Sequence, residues 1–151
     1  MILISPYSKP LRDGKENPKN YPYWKELVIE LEKFNEVVQI GIKGEVPLVS
    51  KFYFNLSLKE ISALVNLSDF WISVDNFLPH LANKLGKRGA VLWSQSDPLI
   101  FGYPQNVNIL KDRRCLRSNQ FNIWEQSVYN IDAYTLPYPV IVQLKAEGLI
   151  K

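Results

Sequence analysis

Hydrophobic and polar positions change their period several times along the chain, most legibly between Asp69 and Pro104. Phe70, Trp71, Ile72, Ser73 and Val74 form a short run of β-branched and aromatic residues, which predicts a buried strand. Asp75 and Asn76 interrupt it. Leu78, Leu81, Ala82 and Leu85 then recur at the i, i+3, i+4, i+7 spacing of one helix face, and Gly86 stops that helix. A second apolar run, Gly89 to Trp93, predicts another strand. Strand, polar turn, helix and strand at this length make a βαβ crossover. Its turn lies at the carboxyl end of the first strand, where unpaired helix N–H groups point outward and favour phosphates.

The flanks supply further elements of the same kind. Residues 2–5 predict a short apolar strand, followed by a polar loop over 7–22 that carries Pro10, Gly14, Pro18 and Pro22. A helix is expected over 23–34, with Trp24, Leu27, Leu31 and Phe34 on its buried face. Residues 37–42 predict a second strand, left through a turn at Gly41, Gly44 and Glu45, and 52–54 a third, short and aromatic. Ser57 with Glu60 three residues on is a capping box, and Leu58, Ile61, Leu64 and Val65 supply that helix's apolar face. Residues 107–110 predict a last strand, 111–117 a basic loop, and 118–135 has no readable period. A closing helix starts near Pro139, runs through Val140, Val142, Leu144 and Ala146, and ends at Gly148. The order predicts one α/β domain over 1–151, a Rossmann-like three-layer α/β/α unit with a mostly parallel sheet.

Composition narrows the classes. At 151 residues with 46% hydrophobic positions the chain suits a single globular core. Its mean hydropathy of −0.13 and lack of a long apolar run argue against a membrane span, and the N-terminus does not read as a signal peptide. One cysteine, Cys115, and one histidine, His80, leave no disulfide framework and no metal cluster. A cytoplasmic protein without cofactor is the expectation. The net charge of +3 gives no case for nucleic acid as partner.

The stretch SLKEISALVNLSDFWISVDNFLPHLANKLGKRGAVLWSQSDP resembles the C-terminal half of the heptosyltransferases, the GT-B glycosyltransferases that transfer from ADP-heptose. That family reads Ser-Leu before a helix, a strand ending in Asp-Thr-Gly, a helix start with a histidine, and a strand followed by Gly-Pro-Thr-x-Pro. Its Lys-x-Trp-Pro signature corresponds to Lys19, Asn20, Tyr21 and Pro22 here, and the likeness runs to about residue 145. The resemblance implies a nucleotide-sugar-binding domain, with the other half, which holds the acceptor and the proposed catalytic base, absent.

Position by position, the resemblance assigns Lys19 to neutralising the nucleotide diphosphate, as a compact ammonium can; without it, Lys19 is an ordinary loop lysine. Glu45 would accept from the ribose hydroxyls, or be a turn carboxylate beside Gly44. Leu56 would pack on the base, or be core. Asp75 would meet the donor sugar, or cap the helix that follows. The backbone N–H groups of Asn76, Phe77 and Leu78 would receive phosphate, and Tyr7 and Ser8 stand where hydroxyls face it. His80 matches a histidine of the first helical turn, contacting phosphate or serving structure.

Two departures stand out. The family's Thr-Gly after the aspartate is Asn76-Phe77 here, and its Gly-Pro-Thr is Ser94-Gln95-Ser96, although Asp97-Pro98 remains. ADP-heptose specificity therefore does not follow. Asp13, Glu16 and Asp112 form no readable acid–base pair, and no catalytic residue is assigned. Lys111, Arg113, Arg114 and Arg117 make a solvated loop or an anion-steering patch, and Cys115 among them has no visible base partner. Two functions are expected: the donor domain of a glycosyltransferase, or a non-catalytic protein that sequesters or senses a nucleotide or nucleotide sugar. Four Trp, eight Tyr and seven Phe in so small a chain also predict a homodimer or a hetero-complex with an acceptor domain.

Overall fold

A computed structural model describes all residues, 1–151. Its six strands are β1 (Ile2–Ser5), β2 (Val37–Gly41), β3 (Phe52–Phe54), β4 (Phe70–Val74), β5 (Gly89–Leu92) and β6 (Val107–Ile109). They form one sheet in the order β3-β2-β1-β4-β5-β6. Every pairing is parallel. The central strand β1 pairs on both sides, Ile2 with Val37 of β2 and with Phe70 of β4. The chain therefore leaves β1 in one direction and returns to its other side at β4. Between those two strands the connections diverge, which opens a crevice at their carboxyl ends.

Alternation along the strands divides the core in two. Ile2, Ile4, Phe70, Ile72, Val74, Ala90 and Leu92 face Trp24, Leu27 and Leu31 of helix α1 (Trp24–Leu31) and Val140, Ile141 and Leu144 of the closing helix (Pro137–Ala146). Leu3, Val38, Ile40, Trp71 and Val91 face the opposite layer, with Val65 of α2 (Leu58–Leu67) and Leu78 and Ala82 of α3 (Leu78–Lys84). This is the expected three-layer α/β/α arrangement. Two short connections replace full crossover helices. The β2–β3 loop is pinned from inside by Gln39, which donates to Val46 O at 3.0 Å and accepts from Leu48 N at 2.7 Å. Between β5 and β6 stands a single turn, α4 (Pro98–Phe101), capped by Asp97, which the sequence reading passed over. The closing helix is then α5. No helix is long and apolar enough to cross a membrane.

Several expectations about faces are corrected. Helix α1 ends at Leu31, and Phe34, expected in its buried face, lies beyond it, beneath Lys145. In α2 only Val65 is buried, and Leu58 is 63% exposed because it opens the helix at the rim of the sheet. The capping box of Ser57 and Glu60 is formed as expected. In α5 the apolar set Val140, Val142, Leu144 has period two, whereas a helix can bury only one stripe. Val140, Ile141 and Leu144 are the buried residues, and Val142 is 45% exposed.

Candidate functional site in the carboxyl-edge crevice

The carboxyl ends of β1, β2 and β4 and the residues after β3 enclose a cleft of about 410 Å³. Tyr7, Ser8, Lys19, Glu45, Leu56, Asp75, Asn76 and Phe77 all line it. Eight candidates drawn from five separate stretches of sequence are thus brought to one place. Leu78 and His80 are not among them.

Lys19 is held by the loop after β1. Asn17 Oδ1 accepts from Lys19 N at 3.0 Å, and Asn17 Nδ2 donates to Lys9 O at 3.1 Å. The carbonyl of Pro18 accepts from Tyr134 OH at 2.5 Å and from Ser94 Oγ at 3.3 Å. Tyr21 is buried and donates to Thr135 O at 2.5 Å. Burial pushes the Tyr21 and Tyr134 phenols well above their ordinary range, so both remain donors. Fixed in this way, the Lys19 ammonium stands 3.1 Å from Asp75 Oδ2, with side chains 22% and 15% exposed.

Asp75 therefore does not cap α3. Phe77 holds the N-cap position without a side-chain bond, and Asn76 closes the turn before it, its Oδ1 accepting from Leu78 N at 3.0 Å while its Nδ2 lies within 3.2 Å of Ser5 O, Ser5 Oγ and Tyr7 O. Leu78, expected to offer its amide, has that amide paired with Asn76 Oδ1 and its side chain in the core. Phe77, half-exposed over the cleft, has φ −69°, a conformation that needs no glycine. The hydroxyls of Tyr7 and Ser8 donate to backbone, to Val46 O at 3.2 Å and Asp75 O at 2.7 Å.

Glu45 turns back to accept from Ile42 N at 2.5 Å. Burial raises its carboxyl above the ordinary range, a rise that the Ile42 hydrogen bond opposes. The Tyr7 phenol is raised too, first by burial and then by Glu45. Gly41, at the end of β2, leaves room for this carboxylate, since a Cβ there would collide with Glu45 Oε1 and come within 3.1 Å of Phe52.

His80 lies outside the cleft, its Nδ1 2.8 Å from Tyr103 OH. With Lys19, Asp75, Ser96, Phe101, Gln120, Phe121, Asn122 and Trp124 it lines a second hollow of about 310 Å³. The two hollows share the Lys19–Asp75 pair as their common wall. The basic loop is largely solvated, as one of its two readings expected, with Lys111, Arg113 and Arg114 exposed, and its arginines also make local ion pairs and a ring contact. Arg113 binds Asp97 through two hydrogen bonds of 3.1 and 2.7 Å and holds its carboxyl below the ordinary range. Arg114 does the same to Asp112, pulled down to about 2. Arg117 stacks 4.0 Å over Trp124.

Sequence reasoning missed Asn17, Asn55, Ile61 and Trp124. Asn55 lines the cleft at φ +55°, a left-handed turn that an Asn closing a strand could have signalled. Trp124 gave no signal, since it belongs to the stretch without period.

No protein-family model matches the sequence, and no curated protein matches it. Solved structures do. The ADP-heptose lipopolysaccharide heptosyltransferase II of E. coli superposes with a TM-score of 0.68 at 17% identity, over 97% of this chain and 46% of that one. The iron-containing dodecameric glycosyltransferase TibC of enterotoxigenic E. coli gives 0.73 at 13%, over 97% and 45%. The E. coli heptosyltransferase WaaC with ADP gives 0.66 at 15%, over 97% and 44%. The fold is that of one half of a GT-B heptosyltransferase. The chain spans less than half the length of each of these enzymes, and at such identities the likeness establishes architecture alone.

Proposed function

We propose that residues 1–151 form a nucleotide-diphosphate-sugar-binding domain, acting in the cytoplasm as the donor half of a heptosyltransferase-like glycosyltransferase. The observation that carries this reading is the convergence of Lys19, Glu45 and Asp75 on one cleft at the β1–β4 crevice. Each supplies what one part of such a ligand needs. Leu56 and Ile61 give an apolar wall for a base, Glu45 an acceptor for ribose hydroxyls, and Lys19 a cation for the diphosphate. The sugar then lies beyond the phosphates, at Asp75. TibC has been solved with ADP-D-β-D-heptose and WaaC with ADP, which favours an ADP-linked donor as the first ligand to try. Transfer also requires a surface opposite the carboxyl edge to close off water and supply a base, from a further domain or a partner subunit.

Amide shift mapping tests the assignment. ADP should perturb Ser8, Lys19, Glu45, Asn55 and Asn76 as one set with one apparent affinity. Shifts confined to other faces would contradict it.

A second reading, binding without chemistry, has one observation in its favour. The single histidine is paired with Tyr103 and lines the neighbouring hollow, so no imidazole faces the cleft of Glu45, Lys19 and Leu56. Sugar release from an ADP-sugar, assayed with and without a co-expressed neighbouring glycosyltransferase half, separates the two.

A further inference from the structure

We infer that Trp124 is the positioning residue for Lys19, a proposal that rests on Lys19 being the diphosphate contact. Lys19 is a flexible side chain whose ammonium must stay at the cleft wall for phosphate to find it. Asp75 alone fixes it from one direction, at 3.1 Å. The Trp124 ring supplies a second contact, with Lys19 Nζ 5.3 Å from its centroid. A cation at that distance from an indole face is attracted by the ring's negative quadrupole.

Trp124 is itself held rigidly. Arg117 lies 4.0 Å from the ring and donates to the carbonyls of Asn122 and Ile123 at 2.7 and 3.0 Å, locking the turn that presents the indole. On the far side of that turn, Glu125 Oε1 accepts from Arg12 N at 3.0 Å, tying it to the loop that carries Lys19. Gln120 adds a third tie. Its Nε2 donates to Gln95 O at 3.0 Å and its Oε1 accepts from Asp97 N at 2.8 Å. The segment from Arg117 to Gln126 thus reaches from the β5 end of the sheet across to the β1 loop and delivers one ring to one ammonium.

The other three tryptophans are core: Trp24, Trp71 and Trp93 are buried, whereas Trp124 is only half-buried and lines the hollow beside the cleft. Replacing Trp124 therefore leaves the core intact and changes what the Lys19 ammonium meets. Because the ring touches no part of the cleft where a base or ribose would lie, the effect must be selective for phosphate.

The test uses the whole chain with Trp124→Leu, Trp124→Phe and Lys19→Ala. In ¹³C-lysine-labelled wild type, one Lys side-chain resonance, assigned by its loss in Lys19→Ala, should show an upfield ring-current shift that disappears in Trp124→Leu. Titration with ADP should then be about three- to ten-fold weaker for Trp124→Leu, with adenosine unchanged. Trp124→Phe should recover part of the loss, and Lys19→Ala combined with Trp124→Leu should be no weaker than Lys19→Ala alone. A Lys19 resonance indifferent to Trp124→Leu overturns the proposal, as does equal loss for ADP and adenosine. If wild type binds neither ligand, the diphosphate reading falls, and the resonance alone upholds or overturns the placement of Lys19 by Trp124.

Discussion

Lys19 and Asp75, carried by the loop after β1 and the end of β4, meet at 3.1 Å across the point where the sheet's connections diverge. The pair is mostly shielded from water, and it forms the wall between two hollows. An ammonium already oriented by a carboxylate loses less side-chain freedom on meeting a phosphate than a free surface lysine would. An anionic ligand competes with Asp75 for the same charge. On the proposed reading, the carboxylate so released then faces the sugar that the diphosphate carries.

Glu45 should give the crevice a pH signature. Its carboxyl is raised by burial, so the folded chain binds that proton more readily than the unfolded chain does. Its contribution to stability is therefore present below the unfolded value near 4.5 and is lost as pH rises through the higher folded value. Glu45→Gln should flatten the dependence of the thermal midpoint on pH just above 4.5, as read by circular dichroism. In binding, acidification through the same window should weaken adenosine and ADP alike, and Glu45→Gln should abolish that dependence.

Packing at the start of β5 gives a stability test independent of any ligand. Gly89 lies against Trp71, and a Cβ there would collide with the indole ring and come within 2.5 Å of Trp71 O. Trp71 is wholly buried and donates to Lys87 O at 2.9 Å, so it has nowhere to go. Gly89→Ala should destabilise by about 1–3 kcal/mol. Chemical denaturation followed at the tryptophan signal measures it, and an unchanged midpoint would show that β5 can shift.

Association is the third expectation. Leu99, Phe121, Val128 and Tyr138 are each more than three-quarters exposed, and Phe121 is in edge-on contact with Phe101 of α4. We propose that a partner covers the part of this surface where Phe121 and Phe101 adjoin, as the aromatic content of the chain predicts. Light scattering should give a mass above the 17.5 kDa of one chain, and Phe121→Ser should lower it. A strictly monomeric profile at high micromolar concentration contradicts this.

The elements that could be read from sequence are those whose period is set by burial on both faces. The strands β1, β4 and β5 are nearly continuous apolar runs, interrupted only by Ser5 and Ser73, because helices cover both sides of a parallel sheet. Eight of the candidate residues reached the cleft because they follow strand ends, where a parallel fold gathers its loops. Leu58 and Val142 misled because an apolar residue at the rim or on a helix's outer face looks, in sequence, like any other. Asp75 was read as cap or ligand contact; its carboxylate pairs with Lys19 instead of capping the helix, and Asn76 takes the turn between them by accepting from Leu78 N. Trp124 could not be read at all, and the pairing of Arg113 with Asp97 could not be read from the basic run. Their roles depend on contacts with Lys19, Arg117 and Asp97 through irregular turns that carry no period.

The central claim, that this crevice takes a nucleoside diphosphate through Lys19, is most directly tested by calorimetry with ADP and adenosine on wild type and Lys19→Ala. A charge-assisted bond to phosphate contributes about 1.5–3 kcal/mol. Lys19→Ala should therefore weaken ADP by roughly ten- to a hundred-fold and leave adenosine nearly unchanged. Equal affinities of the two proteins for ADP, or no heat from ADP, UDP or GDP with wild type at millimolar concentration, would contradict it.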